Sequence, residues 1–404
     1  MIHEQSMGLK VFCLALSLII PQVVDHRLID PRTTARSRFA DCAGSNDDNA
    51  SGRERPLWPD ARFTVEDRAR AIRRGLDFIY RSSRNPRNFA RRGQDYLWCF
   101  DTTAKAFKDP TLRCAAQCMG VERANEWRRL HRSIPPSASA DTVTILVFGS
   151  NAAADLGVVD DAMKEDLRRS AARFSARDLL DFDPAIEPPP VDVPEDCARC
   201  GSYNLRGSRV CSRCKARLKM RSRYDVWSGA LIATWDGDHY GVKLGANYAD
   251  VLKWLPAMRP YRGREEGRNS EFYDIVYAVT HVVYTLNDYS VYKLSPALLR
   301  QEFEFLKASL KDAIAIKDPD MLGEFMDTLR SFGLTEDDPL IQTGMEYLLS
   351  HQNRDGSWGD KRLRYHATWT AMDGLSEYAW SDEGLSFPEL RPLLENGPGS
   401  LQRR

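Results

Sequence analysis

Gly344-Met-Glu-Tyr-Leu-Leu-Ser-His-Gln-Asn-Arg-Asp-Gly-Ser-Trp-Gly359, with Tyr365-His-Ala-Thr-Trp-Thr-Ala-Met-Asp373 a few residues on, decides how this chain is read. The first part reads as a helix followed by a loop marked by Gln352, Gly356 and Trp358, and Tyr365 opens a second helix. Upstream, Thr280-His281-Val-Val-Tyr284-Thr285-Leu-Asn-Asp288 nearly repeats that second helix, and both stretches obey His-x-x-[Tyr/Trp]-Thr-x-x-Asp. The offset of 85 residues is close to two helix-pair units of about 40 residues each.

The rest of the chain repeats the theme. Asp-Pro pairs that open helices stand at Asp109-Pro110, Asp318-Pro319 and Asp338-Pro339. Thr64-Val-Glu-Asp67 starts a helix, Asp95 to Phe100 belongs to a second, and a third runs from Pro110 through Trp127. Further helical signals fall at 140–157, 160–180, Tyr224 to Trp235, Tyr248 to Leu255, Phe272 to Asn287, Pro296 to Ile316, 320–332 and 339–351. Thr144 to Phe148 is rich in β-branched residues, but its surroundings favour helix. The reading is all-α, a body of paired helices. Its expected division is a leader and linker over 1–62, a first helical half over 63–190, an inserted module over 195–218 and a second half over 219–396.

Composition limits the function classes. With 43% hydrophobic and 28% charged residues at zero net charge, the chain is an ordinary globular one without a broad basic surface, and no nucleic-acid partner is expected. Val11 to Ile20 has the length of a signal-peptide core and is too short to span a bilayer. The expectation is a cytoplasmic protein; the alternative is secretion or membrane association through that apolar run. Asn49-Ala-Ser51 is a glycosylation sequon that matters only if the chain is exported.

Cys197-x2-Cys200-x10-Cys211-x2-Cys214 is the strongest chemical signal. Two Cys-x2-Cys knuckles present four thiolates to a tetrahedral ion, and the expectation is structural zinc in a short zinc-ribbon module. All four ligand positions are filled by protein, which leaves no open position for a substrate. Such a module suits contact with a protein partner.

The residues Gly344, Tyr347, Leu348, Leu349, Gln352, Gly356 and Trp358 together resemble the QW motif of the α/α-toroid superfamily of terpenoid cyclases and protein prenyltransferases. Thr343 departs from that pattern, where a basic residue is usual. The resemblance covers about 335–380 and implies a ring of helical hairpins whose inner helices line a central cavity. It also implies a zinc-ligand position at His366, which follows Tyr365 at an inner-helix start. The Asp-x-Cys partner ligands of prenyltransferases have no counterpart, and neither does the Asp-x-Asp-Asp acid of class II cyclases. Glu336-Asp337-Asp338 reads as charge complementing a helix N-terminus.

His281 and His366 are therefore the leading catalytic candidates. Helical spacing puts Tyr284 and Asp288 on the side of the first, and Trp369 and Asp373 on the side of the second. Asp95-Tyr96-Leu-Trp98 and Tyr224-Asp225-Val-Trp227 read as copies of the same pattern with Asp in place of His. The expected cavity is lined by Asp95, Asp225, His281 and His366, with aromatic walls from Trp98, Trp227, Tyr284 and Trp369. Such a set suits acid–base work, or a second metal at the histidine pair, on a hydrophobic small molecule. The competing expectation is a non-catalytic scaffold that works through its ribbon.

Overall fold

The computed structural model describes residues 55–360 and 364–396; the apolar run Val11–Ile20 and the sequon at Asn49 lie outside the described residues. The chain is mostly helical. In order come α1 (Val65–Ser83), α2 (Pro86–Ala106), α3 (Pro110–Leu130), α4 (Ala140–Asp155), α5 (Asp161–Ala171), α6 (Ala176–Leu180) and α7 (Arg223–Tyr240). There follow α8 (Tyr248–Leu252), α9 (Leu255–Met258), α10 (Phe272–Leu286), α11 (Arg300–Ile316), α12 (Pro319–Ser331), α13 (Pro339–Ser350), α14 (Arg364–Leu375) and α15 (Arg391–Asn396). A short parallel pair joins β1 (Tyr292–Lys293) to β2 (Ser381–Glu383). No helix of the described residues is long and apolar enough to cross a membrane.

Local chemistry sets the helix starts. Thr64 and Asp67 form a reciprocal capping box on α1. Asp109, Asp318 and Asp338 each cap a helix whose first residue is Pro, accepting from Thr111 N, Asp320 N and Leu340 N at 2.8, 3.0 and 2.9 Å. These acids satisfy backbone donors that the helix itself leaves unpaired.

Six helices are buried on most sides: α2, α4, α7, α10, α12 and α14. In that order each packs against the next, and α14 returns to α1 and, through Tyr96 and Tyr365, to α2. Burial is most complete in α12, where every residue from Asp320 to Ser331 is buried, whereas α2 is buried from Gly93 to Thr103 and exposed over most of its first two turns. A helix without a solvent face must find partners for its polar side chains inside the protein.

The QW-like loop links α13 and α14 to α1. Gln352 donates to Ala71 O of α1 at 2.8 Å and to Gly356 O at 2.9 Å, while Arg74 donates to Gln352 Oε1 at 3.0 Å. Gly356 has φ +91°, and a Cβ there would lie 2.4 Å from Arg74 O, so only glycine fits. Trp358 is fully buried and donates to Leu348 O at 2.7 Å.

Candidate active site and four-cysteine cluster

A cavity of about 50 Å³ lies among α2, α10, α12 and α14. Its lining includes His281 and Tyr284 of α10, Glu324 and Asp327 of α12, and His366, Trp369 and Asp373 of α14. Phe107, Tyr289 and Tyr378 add aromatic surface. The space holds only a few water molecules.

Behind two of the lining residues, His366 and Thr370, Asp320 is the hub. His366 Nδ1 lies 2.7 Å from Asp320 Oδ1, Thr370 donates to the same oxygen at 2.9 Å, and Tyr277 OH donates to Oδ2 at 3.1 Å. Burial alone would neutralise both members of the His366–Asp320 pair, but each charge holds the other. Against the pull of burial, Asp320 pushes His366 up to about 9. Against the push of burial, His366 holds Asp320 below the usual carboxylate range.

Glu324 stands one turn along α12 and accepts from Thr280 Oγ1 at 2.6 Å. Burial, with the charge of Asp320 beside it, pushes its carboxyl up to about 8, so it is protonated at neutral pH. One oxygen each from Asp320 and Glu324 and a ring nitrogen of His366 lie within 4.8 Å of one another. That is close to the ~3–4 Å spacing kept by ligands about 2.1 Å from one ion.

His281 carries the opposite character. Its Nδ1 sits 2.7 Å from Tyr277 O; a carbonyl only accepts, so Nδ1 holds the proton and Nε2 keeps its lone pair. Burial pulls this imidazole down to about 4, and the nearby His366 charge adds to the effect. The cavity thus joins a neutral histidine to a charged one.

Further along, Asp327 accepts from Ser290 Oγ at 2.9 and 3.1 Å. Burial raises Asp327 to about 6, and burial with the charges of Asp327 and Glu324 raises Asp373 well above its ordinary value. Tyr289 closes this end, its ring 4.8 Å from Trp98, 5.1 Å from Trp235 and 5.7 Å from Tyr284. It belongs to a run of three left-handed residues, Asp288, Tyr289 and Ser290, a backbone conformation that side chains other than glycine enter at a cost.

Other residues expected in the cavity sit elsewhere. Asp95 is buried close by and accepts from Tyr365 OH at 2.9 Å, and burial raises it to about 6. Trp98 lies behind Tyr289 and packs on it and on Trp235. Asp225 does not reach the cavity; it pairs with Arg221 at 2.6 Å near the start of α7. Trp227 is core, fully buried, with its indole donating to Val251 O at 3.0 Å. Asp288 departs from its expected equivalence to Asp373 because α10 ends at Leu286, two residues before it, whereas α14 continues to Leu375.

Asp320, Glu324 and Asp327 are the site residues that sequence reasoning missed. Their i, i+4, i+7 spacing puts three acids on one stripe of α12. In sequence the flanking Met321, Leu322, Phe325, Met326 and Leu329 fall on the opposite side of the helix, so the acids read as an ordinary solvent stripe; only the burial of the whole helix reveals them.

A second cluster stands apart from the helical core. Cys197, Cys200, Cys211 and Cys214 bring their sulfurs within 4.8 Å of one another, with Cys197–Cys214 at 3.4 Å and Cys200–Cys211 at 3.7 Å. Four sulfurs about 2.3 Å from one zinc would be ~3.8 Å apart, so the thiols fit a metal. The two knuckles match in backbone: Gly201 N donates to Cys197 O at 2.7 Å, and Lys215 N to Cys211 O at 3.0 Å. Both Gly201 and Lys215 are left-handed. The module has a small core of its own, built on Cys197, Cys211 and Leu218, and its ends meet where Glu195 N bonds Lys219 O and Arg221 N bonds Val193 O.

No family model, curated protein or solved structure matches this chain.

Proposed function

We propose that this protein is a metal-assisted enzyme built as an α/α toroid of helical hairpins, with a zinc ribbon inserted before its seventh helix. The successive packing of α2, α4, α7, α10, α12 and α14, and the Gln352 link back to α1, support the toroid. The spacing of the four cysteine sulfurs supports structural zinc in the ribbon.

The enzymatic reading rests on one observation: Asp320, Glu324 and His366 are buried together, with Glu324 and His366 lining a cavity. Two carboxylates and one imidazole suit Zn²⁺, Mn²⁺ or Fe²⁺. A divalent ion here would supply Lewis acidity and lower the pKa of a bound water. Around it, Thr370 and Tyr277 orient Asp320, Thr280 orients Glu324, and His281 Nε2 offers a lone pair at the same cavity. Burial, with the charges of Asp327 and Glu324, raises the Asp373 carboxyl well above its ordinary value, which favours the form able to donate a proton. The aromatic walls suit a hydrophobic ligand whose polar head reaches the acids, with its remainder entering only if Tyr289 moves.

Titrating the Cys197→Ser/Cys214→Ser protein with Co²⁺ isolates the central site. Visible absorption that is lost on Glu324→Gln supports this reading, and no absorption at all counts against it.

A non-catalytic scaffold is the second reading, favoured by the cavity size. Space for a few waters, beside a His366–Asp320 pair that already satisfies itself, is also what a structural polar core has.

A further inference from the structure

The four-cysteine module carries an unusual surface. Five of the eight large hydrophobic side chains that stand exposed among the described residues fall between 186 and 210: Ile186, Val191, Tyr203, Leu205 and Val210. Leu205 is 72% exposed and Val191 64%. Ile186, Val191 and Leu205 are drawn into one region because Arg206 bonds both Asp192 and Glu187, and Gly207 N donates to Asp192 O at 2.8 Å; Tyr203 and Val210 lie two and five residues from Leu205 in the chain. Clustering of this kind marks an interaction surface, whereas scattered exposed apolar residues do not.

The same module is basic within a chain of zero net charge. Six Arg and Lys side chains stand against Glu195 and Asp196 over 195–218. Arg199, Arg209, Arg213 and Arg217 are exposed and make no ion pair among the described residues. Even with four thiolates around a dication, the module keeps a positive charge. Arg209 directly precedes Val210, and one small module that exposes both cations and apolar side chains calls for a partner that is acidic and apolar together.

We propose that this face docks an acidic segment of a partner protein that also carries aliphatic side chains. Single-stranded nucleic acid is the competing anion, and it is recognised by stacking bases on aromatic rings. Here Tyr203 is the one exposed ring of the patch, and the other four members are aliphatic. Aliphatic groups gain from burial against Leu, Ile or Val and offer a base little. These side chains stand exposed whatever reaction the central cavity supports.

Fluorescence anisotropy on the full chain tests it with three probes: a short peptide of alternating Glu and Leu, a poly-glutamate of equal charge, and a thymidine oligonucleotide of equal charge. The Glu/Leu peptide should bind about tenfold or more tightly than either other probe, and should weaken several-fold between about 0.05 and 0.3 M NaCl. Leu205→Ser/Val210→Ser and Arg209→Glu/Arg213→Glu should each weaken it about tenfold. Unchanged thermal unfolding of both variants would show that they remain folded; all four positions are exposed. Tighter binding of the oligonucleotide would overturn the proposal, as would equal binding of peptide and poly-glutamate, no peptide binding, or folded variants that bind like the parent.

Discussion

His366 of α14 and Asp320 of α12 face each other at 2.7 Å, both almost wholly buried, and each keeps the other charged where burial alone would neutralise them. A buried pair of this kind stabilises little over a well-packed apolar one, but losing one member strands the other. His366→Gln should therefore destabilise the metal-free protein by about 3–5 kcal/mol.

The effect should depend on pH. The folded pKa of His366 is raised, so its contribution is fully present below about 6.5, the unfolded value, and is lost as pH rises through about 9. Asp320 is lowered, so its contribution is present above its unfolded pKa and lost as pH falls below it. Urea denaturation should show a larger difference between the parent and His366→Gln at pH 5.5 than at pH 9.5.

Glu324 follows the pH direction of His366 and runs opposite to Asp320. Its carboxyl is raised to about 8, so the folded metal-free protein holds a proton that the unfolded chain has released, and stability falls as pH rises between the two pKa values. Glu324→Gln keeps the shape without the charge. It should stabilise the metal-free protein at pH 7.5 by about 1–3 kcal/mol, while weakening metal binding at the central site.

Metal binding should release protons. At pH 7 both His366 and Glu324 are protonated in the metal-free protein, and an ion displaces both protons. Apparent affinity at the central site should rise about a hundredfold per pH unit below 8, about tenfold per unit from 8 to 9, and level off above. Co²⁺ titrations across that range, on the Cys197→Ser/Cys214→Ser protein, measure the slope.

Gly356→Ala tests the link between the QW-like loop and α1. The new Cβ would meet Arg74 O at 2.4 Å from a left-handed backbone, and the loop would have to part from α1. A loss of about 2–4 kcal/mol is expected. Gln352→Ala removes the bonds to Ala71 O and Gly356 O and should cost about 1–3 kcal/mol. Thermal melts of the two variants give both numbers.

Much of the fold was legible from period and punctuation. Asp-Pro openers and the QW-like loop placed helix starts that the structure repeats within a few residues, because capping chemistry is local. His281 and His366 were legible as a pair because a repeated pattern on helices of matching role puts equal positions at one cavity. The acids of α12 were not, for a physical reason. Asp320 follows Asp318-Pro319, where an acid reads as N-terminal charge, and Glu324 and Asp327 read as a solvent stripe unless the helix is known to be buried on all sides. Asp225 and Trp227 copied the pattern in letters only; Arg221 holds the first, and Val251 O engages the second.

The most direct test of the central claim is the metal content of the purified full chain by mass spectrometry. Two metal equivalents are expected, one lost on Cys197→Ser/Cys214→Ser and the other lost on Asp320→Asn/His366→Gln. A single equivalent that disappears with the cysteines and is untouched by changes at Asp320 and His366 would contradict it.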